Sequence, residues 1–67
     1  MYKFPERLNE LMIEFNINQL RLSKETKIPQ PTIVRWLADK HRPTVDCLIT
    51  LATYFKCSID YLVGMVD

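Results

Sequence analysis

The chain has 67 residues, enough for one domain and near the lower size at which an apolar core suffices without disulfide or metal. Hydrophobic types make up 48% and charged types 25%, which excludes a disordered chain, and no apolar run approaches the length of a membrane span. The net charge of +1 excludes a uniformly polycationic surface, and with no signal-peptide layout at the N-terminus the cytoplasm is the expected compartment.

Pro5 opens a run with Leu8, Leu11, Met12 and Phe15 at the spacing of one helix face, which predicts a first helix over about residues 5–15. Asn16-Ile17-Asn18 supplies turn residues, and Asn18 is placed to cap a second helix from Gln19 to about Thr26 that buries Leu22. Ile28-Pro29-Gln30-Pro31 cannot continue that helix, because each proline lacks an N–H and biases the preceding residue away from helical geometry. A third short helix follows from Pro31 to Ala38, marked by Ile33, Trp36 and Leu37. With Gln30 as its N-cap and Pro31 first in the helix, it would begin one residue late. Asp39 to Pro43 reads as a loop. Thr44 caps a fourth helix whose broad apolar face holds Leu48, Ile49, Leu51, Ala52 and Phe55, and Ser58 caps a short fifth one that Gly64 stops. No segment has strand periodicity. The expectation is a single all-α domain over residues 1–67, a compact bundle of about five short helices.

Charge is divided along this chain. Residues 18–43 carry Arg21, Lys24, Lys27, Arg35, Lys40 and Arg42 against Glu25 and Asp39, a local charge of +4, whereas the rest sums to −3. Such an asymmetry orients one surface toward phosphates. Cys47 and Cys57 have no C-x-x-C spacing and only His41 as a further soft ligand, so both are read as packing thiols, with no metal or other cofactor expected. There is no paired-carboxylate, Ser-His-Asp or Cys-His arrangement and no glycine-rich phosphate loop, so a binding domain rather than an enzyme is expected.

The order of Ile17-Asn18-Gln19, Ile28, Gln30, Thr32-Ile33-Val34-Arg35-Trp36, Lys40, Arg42-Pro43, Leu51-Ala52 and Ser58 to Gly64 resembles the phage repressor and Cro-like helix-turn-helix family, also called the Xre family. The resemblance covers about residues 6–64, with the helix-turn-helix unit at about 19–38. It implies a lambda-repressor-like fold and a sequence-specific regulator of transcription, a repressor, that reads double-stranded DNA as a homodimer on a palindromic operator. By the same resemblance Gln19 donates to a phosphate and braces Gln30, which reads a base, while Arg35, Lys40 and Arg42 hold the backbone and Thr32 serves either role. Pro31 and Val34 are the positions that would meet a thymine methyl group. Lys24 and Lys27 read as ordinary exposed lysines.

Some positions depart from the family pattern. Lys27 stands where glycine is common, so the turn is either strained or shaped differently. Leu37 stands where the family often has an acid, and Leu20 lies on the outer side of the second helix. Both are read as isolated surface residues, or else as part of a partner contact, which is the basis of the alternative: an interaction module or antitoxin-type component on the same fold.

Overall fold

The computed structural model describes all 67 residues and contains five α-helices and no strand. Helix α1 is Phe4–Glu14, α2 Gln19–Thr26, α3 Gln30–Leu37, α4 Val45–Phe55 and α5 Ile59–Val63. Their starts follow from local chemistry. Asn18, Thr44 and Ser58 each stand in extended backbone and accept, through the side-chain oxygen, from the N–H three residues on: Arg21, Cys47 and Tyr61. Each cap satisfies one donor that has no partner within the helix, a contribution of about 1 kcal/mol. Helix α1 instead uses Pro5 in its first turn. At the other end Gly64 closes α5 with φ 97°, and a Cβ there would lie 2.4 Å from the Met1 carbonyl oxygen, so only glycine fits.

None of these helices is long enough to be stable alone, and packing holds them. The core comprises twelve buried apolar residues, among them Phe4, Leu8, Leu22, Ile33, Trp36, Leu51 and Leu62. Helix α1 lies against α3 and α5, α2 against α3 and α4, and α4 against α5. Phe4 meets Trp36 edge-on at 5.5 Å between centroids, which joins the start of the chain to α3. Cys47 and Cys57 are free thiols packed against this core, and burial pushes the Cys57 thiol up in pKa. No helix is long and apolar enough to cross a membrane.

Three apolar residues sit differently from the sequence reading. Ile49 is 49% exposed rather than on the packed face of α4, because that face is the side of Leu51 and Phe55, with Cys47, Leu48 and Ala52 partly buried beside them, and Ile49 lies at its edge next to Asp46, Thr50 and Thr53. Phe15 lies just past α1, where the helix has ended, and is 44% exposed with its ring edge-on to Phe55. Leu37 is half-buried and packs against the core instead of standing on the surface, whereas Leu20 is 51% exposed as expected. One feature was not legible at all. Arg7 is buried, donates to the carbonyls of Tyr61 (2.7 Å) and Val66 (2.9 Å), and stacks over the Tyr61 ring, fastening the C-terminal segment to α1.

Candidate nucleic-acid interface

The sequence-predicted residues lie on α2, α3 and the loop after α3. Because Asn18 is the cap, Gln19 is the first helical residue of α2, half-buried at its N-terminus. At the far end Lys27 takes a left-handed conformation, φ 65°, and its N–H bonds the Ser23 carbonyl. The turn therefore keeps the usual geometry and bears strain of about 1–2 kcal/mol for lacking glycine. Side chains offset it. The Ser23 hydroxyl donates to the Ile28 carbonyl at 2.5 Å, and the Thr26 hydroxyl to the Leu22 carbonyl at 2.6 Å.

Pro29 occupies the N-cap of α3, and its carbonyl accepts from the N–H groups of Thr32 (3.0 Å) and Ile33 (3.3 Å). Gln30 is thus the first helical residue and Pro31 the second, which corrects the reading of Gln30 as cap and Pro31 as first. Either register suits a proline, since the N–H groups of the first turn have no acceptor within the helix. Ile33 and Trp36 face the core, whereas Pro31, Val34 and Arg35 are exposed. Gln30 and Thr32 are half-buried, not fully outward as expected, because they flank the face that packs.

Gln30, Pro31, Val34 and Arg35 line one shallow concavity. A second, between α1, α2 and α3, is lined by Gln19 and Gln30 together with Ile13, Leu20 and Leu37. Gln30 belongs to both, so the two glutamines do share a surface, although no hydrogen bond joins them in the free chain; Thr32 lies in neither. Lys40 is exposed beyond α3, its N–H on the Arg35 carbonyl at 2.9 Å, while Asp39 turns the chain with φ 57°. Arg42 is exposed and places its guanidinium 3.9 Å over the ring of Tyr2, a pairing the sequence did not announce. The only ion pair in the chain is Arg21 with Glu25, at 2.6 Å, so Lys24, Lys27, Arg35, Lys40 and Arg42 keep uncompensated charge. Amides, apolar groups and cations are thereby arranged along one helix and the loop that follows it, a composition suited to base edges and phosphates.

A family model of the Cro/C1-type HTH DNA-binding domain matches residues 7–67. The chain belongs to this family. A solved transcriptional regulator from Listeria innocua is similar in structure, with a TM-score of 0.89 at 31% identity over 100% of this chain and 63% of that one. The chain thus spans less than two thirds of that neighbour's length. No curated protein matches it. Because the family binds DNA, membership supports the expectation of a binding domain and not an enzyme.

In this Cro/C1-type domain α2 is also tied to α4 from outside the core. The Tyr54 hydroxyl donates to Glu25 at 2.5 Å, and this bond, aided by the Arg21 guanidinium, holds the Glu25 carboxyl below the usual carboxylate range. The same bond pushes the Tyr54 phenol up. A depressed folded-state pKa stabilises the fold above the unfolded value, and that stabilisation is lost as pH falls through the folded value. Tyr54→Phe is expected to move the Glu25 midpoint, read by NMR of its carboxyl carbon, up toward the ordinary range. A midpoint that stays where it was would show that Tyr54 is not the cause.

Proposed function

We propose that the domain is a transcriptional regulator, a repressor, that reads a specific double-stranded DNA site by laying α3 in the major groove. The observation that carries this reading is the single concavity of Gln30, Pro31, Val34 and Arg35 on the outer side of α3, adjoining Gln19. A glutamine amide pairs with both the acceptor and the donor of adenine, Pro31 and Val34 offer apolar contact to a thymine methyl, and Arg35 reaches either guanine or phosphate. Thr32, at the edge of this face, contacts phosphate or base, and Gln19 at the start of α2 contacts phosphate. Lys40 and Arg42 hold the backbone.

One such helix covers one half-site, and so small a contact seldom gives operator affinity unaided. Two copies are therefore proposed to bind together on a palindromic operator. Met65 and Val66, exposed beyond α5, support a pairing surface there. The alternative of a protein-binding module rests on Ile13 and Leu20, exposed at 71% and 51% beside the Gln19 concavity.

Phosphate contacts act on all sequences alike. Arg42→Ala is expected to weaken binding to every duplex and to lower the slope of log affinity against log salt by about one. Anisotropy titrations over a salt series check it. Unchanged affinity and slope would remove Arg42 from the interface, and wild-type protein that bound no duplex at low salt would favour the protein-binding alternative.

A further inference from the structure

We infer that Tyr2 is a positioning residue for duplex binding: its ring holds the Arg42 guanidinium in a fixed place for the phosphate backbone. The inference rests on the phosphate-binding role proposed for Arg42. That arginine stands on an exposed loop and has no carboxylate partner, so a flexible side chain of this kind would lose much rotamer freedom on meeting a phosphate. Instead its guanidinium lies 3.9 Å over the Tyr2 ring. Stacking leaves the in-plane N–H donors of the guanidinium free for an anion.

The platform itself is fixed. Lys3, next in the chain, donates its N–H to the Val63 carbonyl at 3.0 Å and accepts from the Arg7 N–H at 2.9 Å, which pins the segment to α5 and α1. The Tyr2 ring lies 6.4 Å from that of Phe4, and Phe4 is fully buried against Trp36 of α3. A continuous aromatic path therefore links the loop arginine to the core side of the recognition helix. The ring does this work, not the hydroxyl, which is buried without a hydrogen-bond partner. Burial pushes the phenol up in pKa despite the opposing effect of Arg42, so the cation faces a neutral ring.

The test is a fluorescence-anisotropy titration of a labelled mixed-sequence DNA duplex with single and double variants. Tyr2→Phe keeps the ring and is expected to bind as the wild type does. Tyr2→Leu is expected to weaken binding about two- to fivefold, and to have no further effect in an Arg42→Ala background. Arg42→Lys leaves the contacts of Tyr2, Lys3 and Phe4 with the helices in place and is expected to lose affinity comparably, because an ammonium stacks less well and presents no planar fork. The NMR ring-current shift of the Arg42 δ protons, measured without DNA, should persist in Tyr2→Phe and vanish in Tyr2→Leu. If Tyr2→Leu unfolds, as circular dichroism would reveal, Arg42→Lys and the ring-current shift in Tyr2→Phe still decide the matter: full affinity in the first or a missing shift in the second overturns the inference. Full affinity in a folded Tyr2→Leu, or an equal loss with and without Arg42, also overturns it. A wild type that binds no duplex defeats the DNA-reading proposal itself, whereas weakening by Arg42→Ala but not by Tyr2→Leu defeats only the role of Tyr2.

Discussion

Trp36→Ala is expected to remove a third or more of the stability of the domain. Trp36 is 1% exposed and, with Ile33, is one of two side chains by which the eight-residue α3 is buried. Truncating a buried tryptophan to alanine costs about 3–5 kcal/mol. A chain of this length has a total stability of only about 3–10 kcal/mol. The loss thus consumes from a third to all of it, and the melting midpoint should fall by more than about 12 °C. Because the indole Nε1 has no partner, Trp36→Phe forfeits no hydrogen bond and should cost much less. Thermal denaturation followed by circular dichroism checks both variants. Equal midpoints for Trp36→Ala and wild type would mean that α3 is not held as described.

Gln30→Ala is expected to change which sequence is bound without preventing binding. The side chain stands where the two concavities meet, half-buried, with its amide free of any hydrogen bond within the chain. If it reads adenine, its removal costs about 1–3 kcal/mol against the preferred site and almost nothing against duplexes carrying another base there. Discrimination at one base pair per half-site should therefore collapse while the salt dependence is preserved, since no phosphate contact is lost. Titration of duplexes that differ only at single base pairs measures this directly. A uniform loss across all of them would assign Gln30 to the backbone, and no loss at all would place it outside the interface.

Much of the fold was legible because its signals are local. Asn18, Thr44 and Ser58 lie within three residues of the groups they cap, and the α2 limits of Gln19 and Thr26 follow from Asn18 on one side and the Pro29-Pro31 pair on the other. The start of α3 was misplaced by one residue because Pro29 caps through its carbonyl, a role any residue can fill and no side chain advertises. Ile49 was assigned to the packed face of α4 although it lies at the edge of that face, beside the polar stripe of Asp46, Thr50 and Thr53. Long-range pairings were out of reach: Arg7 finds its acceptors 54 and 59 residues away, and Tyr2 meets Arg42 from the other end of the fold. Of the candidate interface, the helix and the exposure of Pro31, Val34 and Arg35 were legible from spacing, whereas the partial burial of Gln30 and Thr32 was not. That Gln19 and Gln30 share one concavity, and that Arg42 is stacked in place, depends on how the helices pack.

In the proposed function α3 reads base sequence. Selection of bound molecules from a pool of random double-stranded DNA tests it most directly, with Gln30→Ala run in parallel. The wild type is expected to enrich a short motif in two inverted copies, and the variant to enrich the same motif with one position per copy relaxed. Enrichment of no motif by a folded wild type that still binds DNA, or an identical motif from both proteins, would contradict it.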